Sequence, residues 1–393
     1  MKNDDRTALN WIESQQNVME ALVEKWATIN TYSFNLLGLK FLSQKLSKSF
    51  SVFKEPVQFI PLNSKEELAP VLSIQKRPHA LKQVLLVNHF DTVYPLNTPI
   101  SELKKKGNVL KGPGVTDSKG GIAVMLKALE AFEQTPWAKD VGWRVVLTTD
   151  EEIGSPGSSK IWPKIISKFD LGLVFEPCLP NGNLVGARSG SANFTLEAHG
   201  RSAHAGRNLK DGRNAIEALA ECIYKIESFI KREKNVTINF GYWEGGGPVN
   251  VVPDKATARF NVRMNSVDDY VSTKNKIQNL INDIQRKRKV RLALTSILTA
   301  LPKPLTPKTL KLLQAFKQCG RELGLDLSWE KSSGVCDGNR LQALGLPTID
   351  TLGAQGGRLH SPDEFLLLRS LSERVKLTTL FLSKWARGEW KFL

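Results

Sequence analysis

The chain has 393 residues and a formal net charge of +16, and hydrophobic and charged residues make up 41% and 24% of it. These shares are ordinary for globular proteins, and no apolar run approaches the roughly 18 residues that cross a bilayer, which excludes disordered and membrane-spanning classes. The length exceeds that of one ordinary core and predicts two domains.

The first part of the chain alternates between helical and strand patterns. Apolar residues recur at helical spacing over 9–49, which predicts an opening helical segment. Apolar runs at 83–93, 143–149 and 171–176 are typical of strands buried on both faces, and 121–132 has helical spacing. Strands that alternate with helices predict an α/β fold with a mostly parallel sheet sandwiched by helices.

The pattern changes after Gly186. The predicted elements there are a strand at 192–198, a helix at 214–231, strands at 236–242 and 256–264, a helix at 267–286 and a strand at 290–295. This order is the ferredoxin-like split pattern, an antiparallel α+β arrangement. The three prolines of 301–307 mark a return linker. We therefore predict one domain over 1–187 and 301–393, with a second domain inserted over 188–300.

His89 and Asp91 lie at the end of the first predicted buried strand. Residues two apart on a strand share a face, and a carboxylate beside an imidazole fixes the tautomer of a metal-bound histidine. The alternative is a hydrogen-bonded structural histidine. The segment GPGVTDSKGG, 112–121, places Asp117 among glycines, which allow close approach to a ligand. The alternative there is a glycine-rich turn with a helix-capping aspartate.

Carboxylates also follow the next strands. Asp150, Glu151 and Glu152 are consecutive, and they repel one another unless cations lie nearby. Neighbouring side chains of an extended segment point in opposite directions, so one glutamate can bind a metal while the next faces substrate. Glu176 ends a further apolar run, and His360 lies in a glycine-bearing loop.

Histidines or carboxylates thus follow each of five apolar elements. Two imidazoles with carboxylates suit zinc or related divalent ions, and cobalt and manganese are alternatives for the same ligands. Asp117, Glu152 and Glu176 supply three negative charges, which favours two divalent ions because one would leave the site strongly anionic.

The motifs HFD, GPGVTDSKGG, TTDEEIGS, EP and RLHS occur in the order of a known family. From about residue 85 to 385 the sequence resembles the zinc metallopeptidases that include carboxypeptidase G, aminoacylase-1, succinyl-diaminopimelate desuccinylase and acetylornithine deacetylase. The glutamate carboxypeptidase type is closest in motifs. The resemblance implies a zinc-exopeptidase-like catalytic domain with an inserted lid or dimerisation domain. It also implies two zinc ions whose ligands are Asp117 bridging both, His89 and Glu176 on one, and Glu152 and His360 on the other.

The resemblance implies further roles. Asp91 would orient the first histidine ligand, and Glu151 would be the general base. His204 matches the histidine that reaches the partner subunit's active site and polarises the oxyanion, which implies a homodimer; the alternative is an exposed loop histidine. Asn250 and Arg263 match positions that contact a substrate carboxylate, which a guanidinium can hold in a bidentate way. The alternative for Arg263 is a surface strand arginine.

These features predict an enzyme, a co-catalytic dizinc hydrolase that cleaves an amide or peptide bond of a small or dipeptide-like substrate bearing a carboxylate. Family members that act as aminopeptidases or dipeptidases tend to have aspartate where this chain has Glu176. The resemblance therefore favours a carboxypeptidase or an N-acyl-amino-acid deacylase over a dipeptidase. The alternative from another class is a non-catalytic, metal-dependent binding protein of the same fold, which the presence of Glu151 disfavours.

The excess of Lys and Arg raises nucleic acid as a partner. The densest basic run, 286–289, is not accompanied by a helix-turn-helix, RNP-like or zinc-finger pattern. We therefore predict a solvated basic face and neither a nucleic-acid nor a membrane partner. Residues 1–13 lack the apolar core of a signal peptide, and the four cysteines show no CxxC spacing, so we expect a cytoplasmic protein.

Overall fold

The computed structural model describes residues 2–97 and 103–390, whose contacts divide the chain into two units. The first unit holds the described residues of Met1–Gly186, Leu305–Lys331 and Cys336–Leu393. The second unit holds Ala187–Pro304 and Ser332–Val335.

Helices and strands follow one another along the whole described chain. The helices are α1 (Asn3–Ser14), α2 (Gln16–Ala27), α3 (Leu36–Phe50), α4 (Gly121–Glu133), α5 (Trp162–Ile165), α6 (Ala215–Ile230), α7 (Val267–Arg288), α8 (Pro307–Glu322), α9 (Asp337–Ala343) and α10 (Arg369–Ala386). The strands are β1 (Val57–Ile60), β2 (Val71–Lys76), β3 (Lys82–His89), β4 (Lys104–Lys106), β5 (Val109–Lys111), β6 (Val141–Thr148), β7 (Leu171–Val174), β8 (Leu184–Arg188), β9 (Gly190–His199), β10 (Val236–Gly245), β11 (Lys255–Met264), β12 (Arg291–Ala300), β13 (Trp329–Ser332), β14 (Thr348–Ile349), β15 (Gly356–Gly357) and β16 (Phe365–Leu367).

The central sheet of the first unit has the strand order β1-β2-β6-β3-β7-β14. Strands β6, β3, β7 and β14 run parallel, whereas β1 and β2 form an antiparallel edge. The register pairs His89 with Thr148 and Val87 with Val174, so the carboxyl ends of β3, β6 and β7 meet at one edge. Open α/β sheets bind their ligands at this edge. The predicted mostly parallel α/β fold is confirmed.

Strand β3 shows why the sheet is covered on both faces. Its side chains alternate in direction, as they do along any strand. Val84 and Leu86 belong to a large apolar cluster that includes residues of α4, α8 and α10. Leu85 and Val87 belong to a second cluster, which includes residues of α5 and α9. A run of four apolar residues can therefore be buried completely only between two helical layers.

Two small sheets complete the strand pairing. Strands β15, β16, β5 and β4 form an antiparallel sheet in that order, and β8 pairs with β13. In β15–β16 the register pairs Gly357 with Phe365, and in β16–β5 it pairs Phe365 with Lys111. This pairing joins the segment after His360 to the segment before Asp117, which becomes important for the site.

The second unit contains the antiparallel sheet β10-β11-β9-β12. Alternate residues of β9, from Ala192 to Ala198, join the apolar side chains of α6 and α7 in a separate core. The order of its elements is the ferredoxin-like pattern expected from the sequence. Within residues 2–97 and 103–390, no helix is both long and apolar enough to span a bilayer.

Candidate metal centre

His89 is the last residue of β3, and its ring lies against two carboxylates. Its Nε2 atom is 3.0 Å from Asp117 Oδ1 and 3.7 Å from Glu176 Oε1. The three residues are buried, and their potential ligand atoms lie within 4.8 Å of one another. Glu176 reaches this position because it follows β7, which lies beside β3 in the sheet.

The second oxygen of Asp117 faces another histidine. Asp117 Oδ2 is 3.2 Å from Nε2 of His360, and the same Nε2 is 3.3 Å from Glu152 Oε2. The ligand atoms of these three residues also lie within 4.8 Å of one another. One carboxylate is thus shared by two three-residue groups, which is the arrangement that a two-metal site requires. The structure brings all five predicted ligands together; that they bind metal stays a prediction.

Asp91 connects the two groups through hydrogen bonds. His89 Nδ1 lies 3.1 Å from the backbone oxygen of Asp91 and 3.3 Å from its Oδ1. The carboxylate of Asp91 also accepts the backbone N–H groups of Glu151 and Glu152 at 3.3 and 3.1 Å, and the hydroxyl of Ser33 at 2.8 Å. Asp91 is fully buried, so these contacts fix its orientation. Ser33, from the segment before α3, has no signal in the sequence that points to this site.

The segment that carries Glu151 is a turn, whereas the strand-alternation argument expects an extended segment. The backbone N–H of Gly154 donates to the carbonyl of Glu151 at 2.8 Å. Asp150 takes no part in either ligand group, because its Oδ2 accepts the N–H of Gly157 at 2.7 Å. The expectation of an extended segment is therefore wrong, since turn hydrogen bonds and not the pleat of a strand set these side-chain directions.

The concentration of carboxylates raises the pKa values of several groups of the site. Burial, and then the charge of Glu176, raises the pKa of Glu151 well above its ordinary value. Burial, and then the charge of Asp117, raises the pKa of Glu152 to about 7. Hydrogen bonds with Asp117 and Glu152 raise the pKa of His360 to about 11. Carboxylates that repel one another in this way are stabilised by cations.

The donor set fits two divalent cations. It consists of two imidazoles and three carboxylates, and each of its two groups offers three ligand atoms. Zinc accepts this combination in a catalytic site that keeps a position open for water or substrate, and cobalt or manganese accepts the same ligands.

Asp117 is held in an irregular turn, Val115–Gly120, between β5 and α4. Gly114 immediately before this turn has a φ of 69°, a conformation that glycine adopts without strain. The Asp117–Ser118 peptide bond is cis.

Motif reasoning alone misses Lys119 and Glu364, both of which are buried. Burial lowers the pKa of Lys119 to about 8, although nearby carboxylates, Glu364 first among them, act in the opposite direction. A signal for both was present in the sequence. Lys119 lies inside GPGVTDSKGG and Glu364 lies three residues after RLHS, and a charged residue that a fold buries needs specific partners.

The remaining predicted residues lie in the second unit. His204 is exposed, and its Nδ1 accepts the backbone N–H of Gly206 at 3.1 Å. Asn250 is also exposed, and its carbonyl accepts the N–H of Ala205 at 2.9 Å, so the two loops are neighbours. Arg263 lies on β11 and is partly buried. The roles of these three residues stay predictions.

Comparisons with known proteins point to one family. The sequence model of peptidase family M20/M25/M40 matches residues 85–384. Carboxypeptidase G2 of Pseudomonas sp. (strain RS-16) is 27% identical over 319 residues, which cover 78% of this chain and 75% of that protein. Aminopeptidase PepT from Bacillus cereus has a similar structure, with a TM-score of 0.79 and 18% identity over 94% of this chain and 98% of that one. The Bacillus subtilis YXEP protein, a dinuclear metal binding peptidase of family M20, has a TM-score of 0.72 and 13% identity over 95% and 99% of the two chains.

Proposed function

The chain belongs to peptidase family M20/M25/M40, and from this premise we propose that it is a two-zinc exopeptidase of the carboxypeptidase or deacylase type. Its substrate would be a small amide that bears a carboxylate. One observation carries the proposal: the two oxygens of Asp117 face His89 and His360 at 3.0 and 3.2 Å, each within its own ligand group. The likeness to carboxypeptidase G2 and to a dinuclear metal binding peptidase supports it.

In this proposal two zinc ions would be held by His89 and Glu176 on one side and by Glu152 and His360 on the other, with Asp117 available to both. When bound, the ions lower the pKa of a water and polarise the scissile carbonyl. Cobalt and manganese are the alternative metals.

Glu151 would act as the general base, taking a proton from water and returning it to the leaving amine. A general base works best when its pKa lies near the operating pH. Burial, and then the charge of Glu176, raises the pKa of Glu151 in that direction. Asp91 would keep His89 and Glu151 in place, since it contacts the His89 ring and the backbone N–H of Glu151.

Three residues of the second unit would act on the substrate. Arg263 and Asn250 would hold its carboxylate, and His204 would stabilise the oxyanion in the active site of a partner subunit. Nδ1 of His204 accepts a hydrogen bond from Gly206, which leaves Nε2 as the ring nitrogen that can donate to an oxyanion. We therefore also propose a homodimer.

A hydrolysis screen with metal analysis tests the proposal. The substrates are N-acetyl, N-succinyl, and α- and γ-glutamyl amides, each paired with an analogue in which a carboxamide replaces the carboxylate. We expect two zinc ions per chain and cleavage of at least one carboxylate substrate, but not of its carboxamide analogue. Chelation should abolish cleavage and zinc should restore it. Hydrolysis that persists without metal would contradict the proposal.

The same screen separates the alternatives. A dipeptidase would require a free amine on the substrate and would leave the N-acylated compounds intact. A non-catalytic binding protein would bind zinc and cleave none of them.

Within the described residues none of the four cysteines is in a disulfide, which supports a cytoplasmic location.

A further inference from the structure

Glu364 is a completely buried carboxylate that lies four residues after a predicted metal ligand, with 0% of its surface exposed. Its Oε1 accepts the backbone N–H groups of Thr116 and Asp117, each at 2.9 Å. Its Oε2 accepts the backbone N–H of Gly114 and the hydroxyl of Tyr94, each at 2.8 Å. Both oxygens are therefore fully engaged by hydrogen-bond donors.

The partners of Glu364 favour its ionised form, although burial raises the pKa of its carboxyl. Three of them are backbone N–H groups, which can only donate, whereas the Tyr94 hydroxyl has a single proton that lies within reach of both Glu364 Oε2 and the carbonyl of Ser361. A proton on Oε1 would face two backbone N–H donors. Hydrogen bonds to an ionised acceptor are the strong ones, and a buried charge is tolerated only when its hydrogen bonds are satisfied.

The three backbone donors belong to the segment that carries the shared ligand. Gly114 directly precedes the turn Val115–Gly120 between β5 and α4, and Thr116 and Asp117 lie within it. Glu364 itself belongs to the loop of His360, and Tyr94 ties that loop again through the carbonyl of Ser361 at 3.0 Å. The carboxylate thus joins two segments that are far apart in the chain, one holding Asp117 and the other holding His360.

We propose that Glu364 is a positioning residue, which holds the Asp117 turn so that the Asp117 carboxylate is shared between the two ligand groups. It acts through Asp117 and through the loop of His360. The inference rests on the proposed function, because it concerns the same ligand groups.

Loss of this carboxylate would leave buried N–H donors without an acceptor. A buried donor without a partner is costly, so the turn would move to satisfy Gly114, Thr116 and Asp117 elsewhere. Asp117 contributes to both groups. The movement would therefore weaken metal binding at both positions, whereas loss of a ligand confined to one group would weaken one.

The test compares Glu364→Gln with Asp363→Asn in the full chain. Glutamine keeps the shape of Glu364, but its amide NH₂ group replaces one of the two oxygens that accept hydrogen bonds. Asp363 is the matched control, since its exposed carboxylate lies 3.6 Å from Lys111 and Arg358 and undergoes the same chemical change. Zinc affinity at both positions is measured by competition with a chromophoric chelator.

We expect Glu364→Gln to lower zinc affinity at both positions, by roughly 10- to 100-fold, as is usual for residues that orient metal ligands. Asp363→Asn should bind zinc like the wild type. If the wild type fails to bind two zinc ions, the proposed function is wrong. If the wild type binds two and Glu364→Gln binds them equally well, this inference alone is wrong.

A purely structural role is distinguished by the same variants. It would lower the melting temperature of metal-free Glu364→Gln while leaving zinc affinity unchanged, and that result would overturn the inference. A loss of zinc affinity at one position only would also overturn the inference. If Glu364→Gln does not fold, Tyr94→Phe, which removes one donor of the four, should show a smaller loss at both positions, and unchanged affinity would be contrary evidence.

Discussion

Protons and metal ions compete for the same side-chain atoms of the candidate centre. Asp117 is buried, which opposes its ionisation, yet hydrogen bonds with His360 and His89 hold its pKa below its usual range. The two histidines thereby take the place that cations would take. In the proposed site, a metal that binds either imidazole would have to displace any proton on that ring.

This competition predicts that zinc affinity rises with pH. The pKa of His360 is raised from its ordinary value to about 11, so the ring is protonated at neutral pH in the metal-free protein. Zinc binds the neutral ring, and each displaced proton changes affinity by up to about tenfold per pH unit. Titrations at pH 6, 7 and 8 should show tighter binding at each step, and an affinity independent of pH would speak against the site.

A control variant isolates the contribution of His360. His360→Gln removes a proton-binding ligand and should flatten the pH dependence as well as weaken binding. His199→Gln alters a histidine on β9 that pairs with Glu197 and should keep the wild-type dependence.

Glu151 offers the most direct test of catalysis by a single side chain. Glu151→Gln removes the proposed base while keeping the size of the side chain, and general bases contribute about 100- to 10,000-fold to rate. We expect kcat to fall by that factor while zinc content and melting temperature stay near those of the wild type. Glu227→Gln, at a surface ion pair with Lys231, is the matched control and should retain full activity. Undiminished turnover in Glu151→Gln would remove Glu151 from the mechanism.

At the scale of helices and strands, the start of α4 packs closely against the residue that follows β7. A Cβ atom at Gly121, the first residue of α4, would lie 2.0 Å from the backbone oxygen of Phe175. It would also lie 2.6 Å from Nδ2 of Asn88. Phe175 directly precedes Glu176, so the packing of this helix against the strand end bears on a predicted ligand.

Gly121→Ala should therefore destabilise the protein. Alanine is favoured over glycine in helices by about 1 kcal/mol, but overpacking costs about 1–3 kcal/mol and is severe when the obstacle is backbone. We expect a lower melting temperature and weaker zinc binding. At Gly247 an added Cβ would meet nothing within 4 Å, so Gly247→Ala should leave both unchanged. An equally stable Gly121→Ala would show that α4 can shift freely.

At the scale of the whole molecule, the net charge of +16 is accompanied by ion pairs in the densest basic run, 286–289. In the densest basic run, Lys287 and Arg288 contact the carboxylate of Glu221 at 2.9 and 2.7 Å. Arg288 also contacts Glu217 at 2.9 Å, and Arg286 contacts Asp283 at 2.5 Å. Acidic neighbours thus neutralise much of the run.

We therefore expect little retention of duplex DNA in filter binding at physiological salt. Binding through phosphates weakens steeply as salt rises, so comparison of about 50 and 200 mM salt isolates this contribution. A double variant, Glu217→Gln with Glu221→Gln, frees the basic run and should bind more DNA at the lower concentration. Tight binding by the wild type that survives both higher salt and metal chelation would contradict the prediction.

The long elements could be predicted from the sequence, because burial imposes a recognisable apolar pattern on eight or more residues. Helices α4, α6 and α7 and strands β3 and β9 lie within a few residues of their expected ranges. Strands β15 and β16 have two and three residues, too few to show a period, and they were not expected. These short strands nevertheless bring the segments of His360 and Asp117 together.

Local composition was sufficient to place His89, Glu152 and Glu176 at one edge, because parallel strands carry their carboxyl ends to the same side of a sheet. The chain order of the motifs was sufficient to identify the family. Folding over long separations decided the rest: Ser33 meets Asp91 across 58 residues, and Glu364 meets Asp117 across 247. A local sequence pattern cannot predict such contacts. Each depends on how the intervening elements pack and on which buried donors need an acceptor.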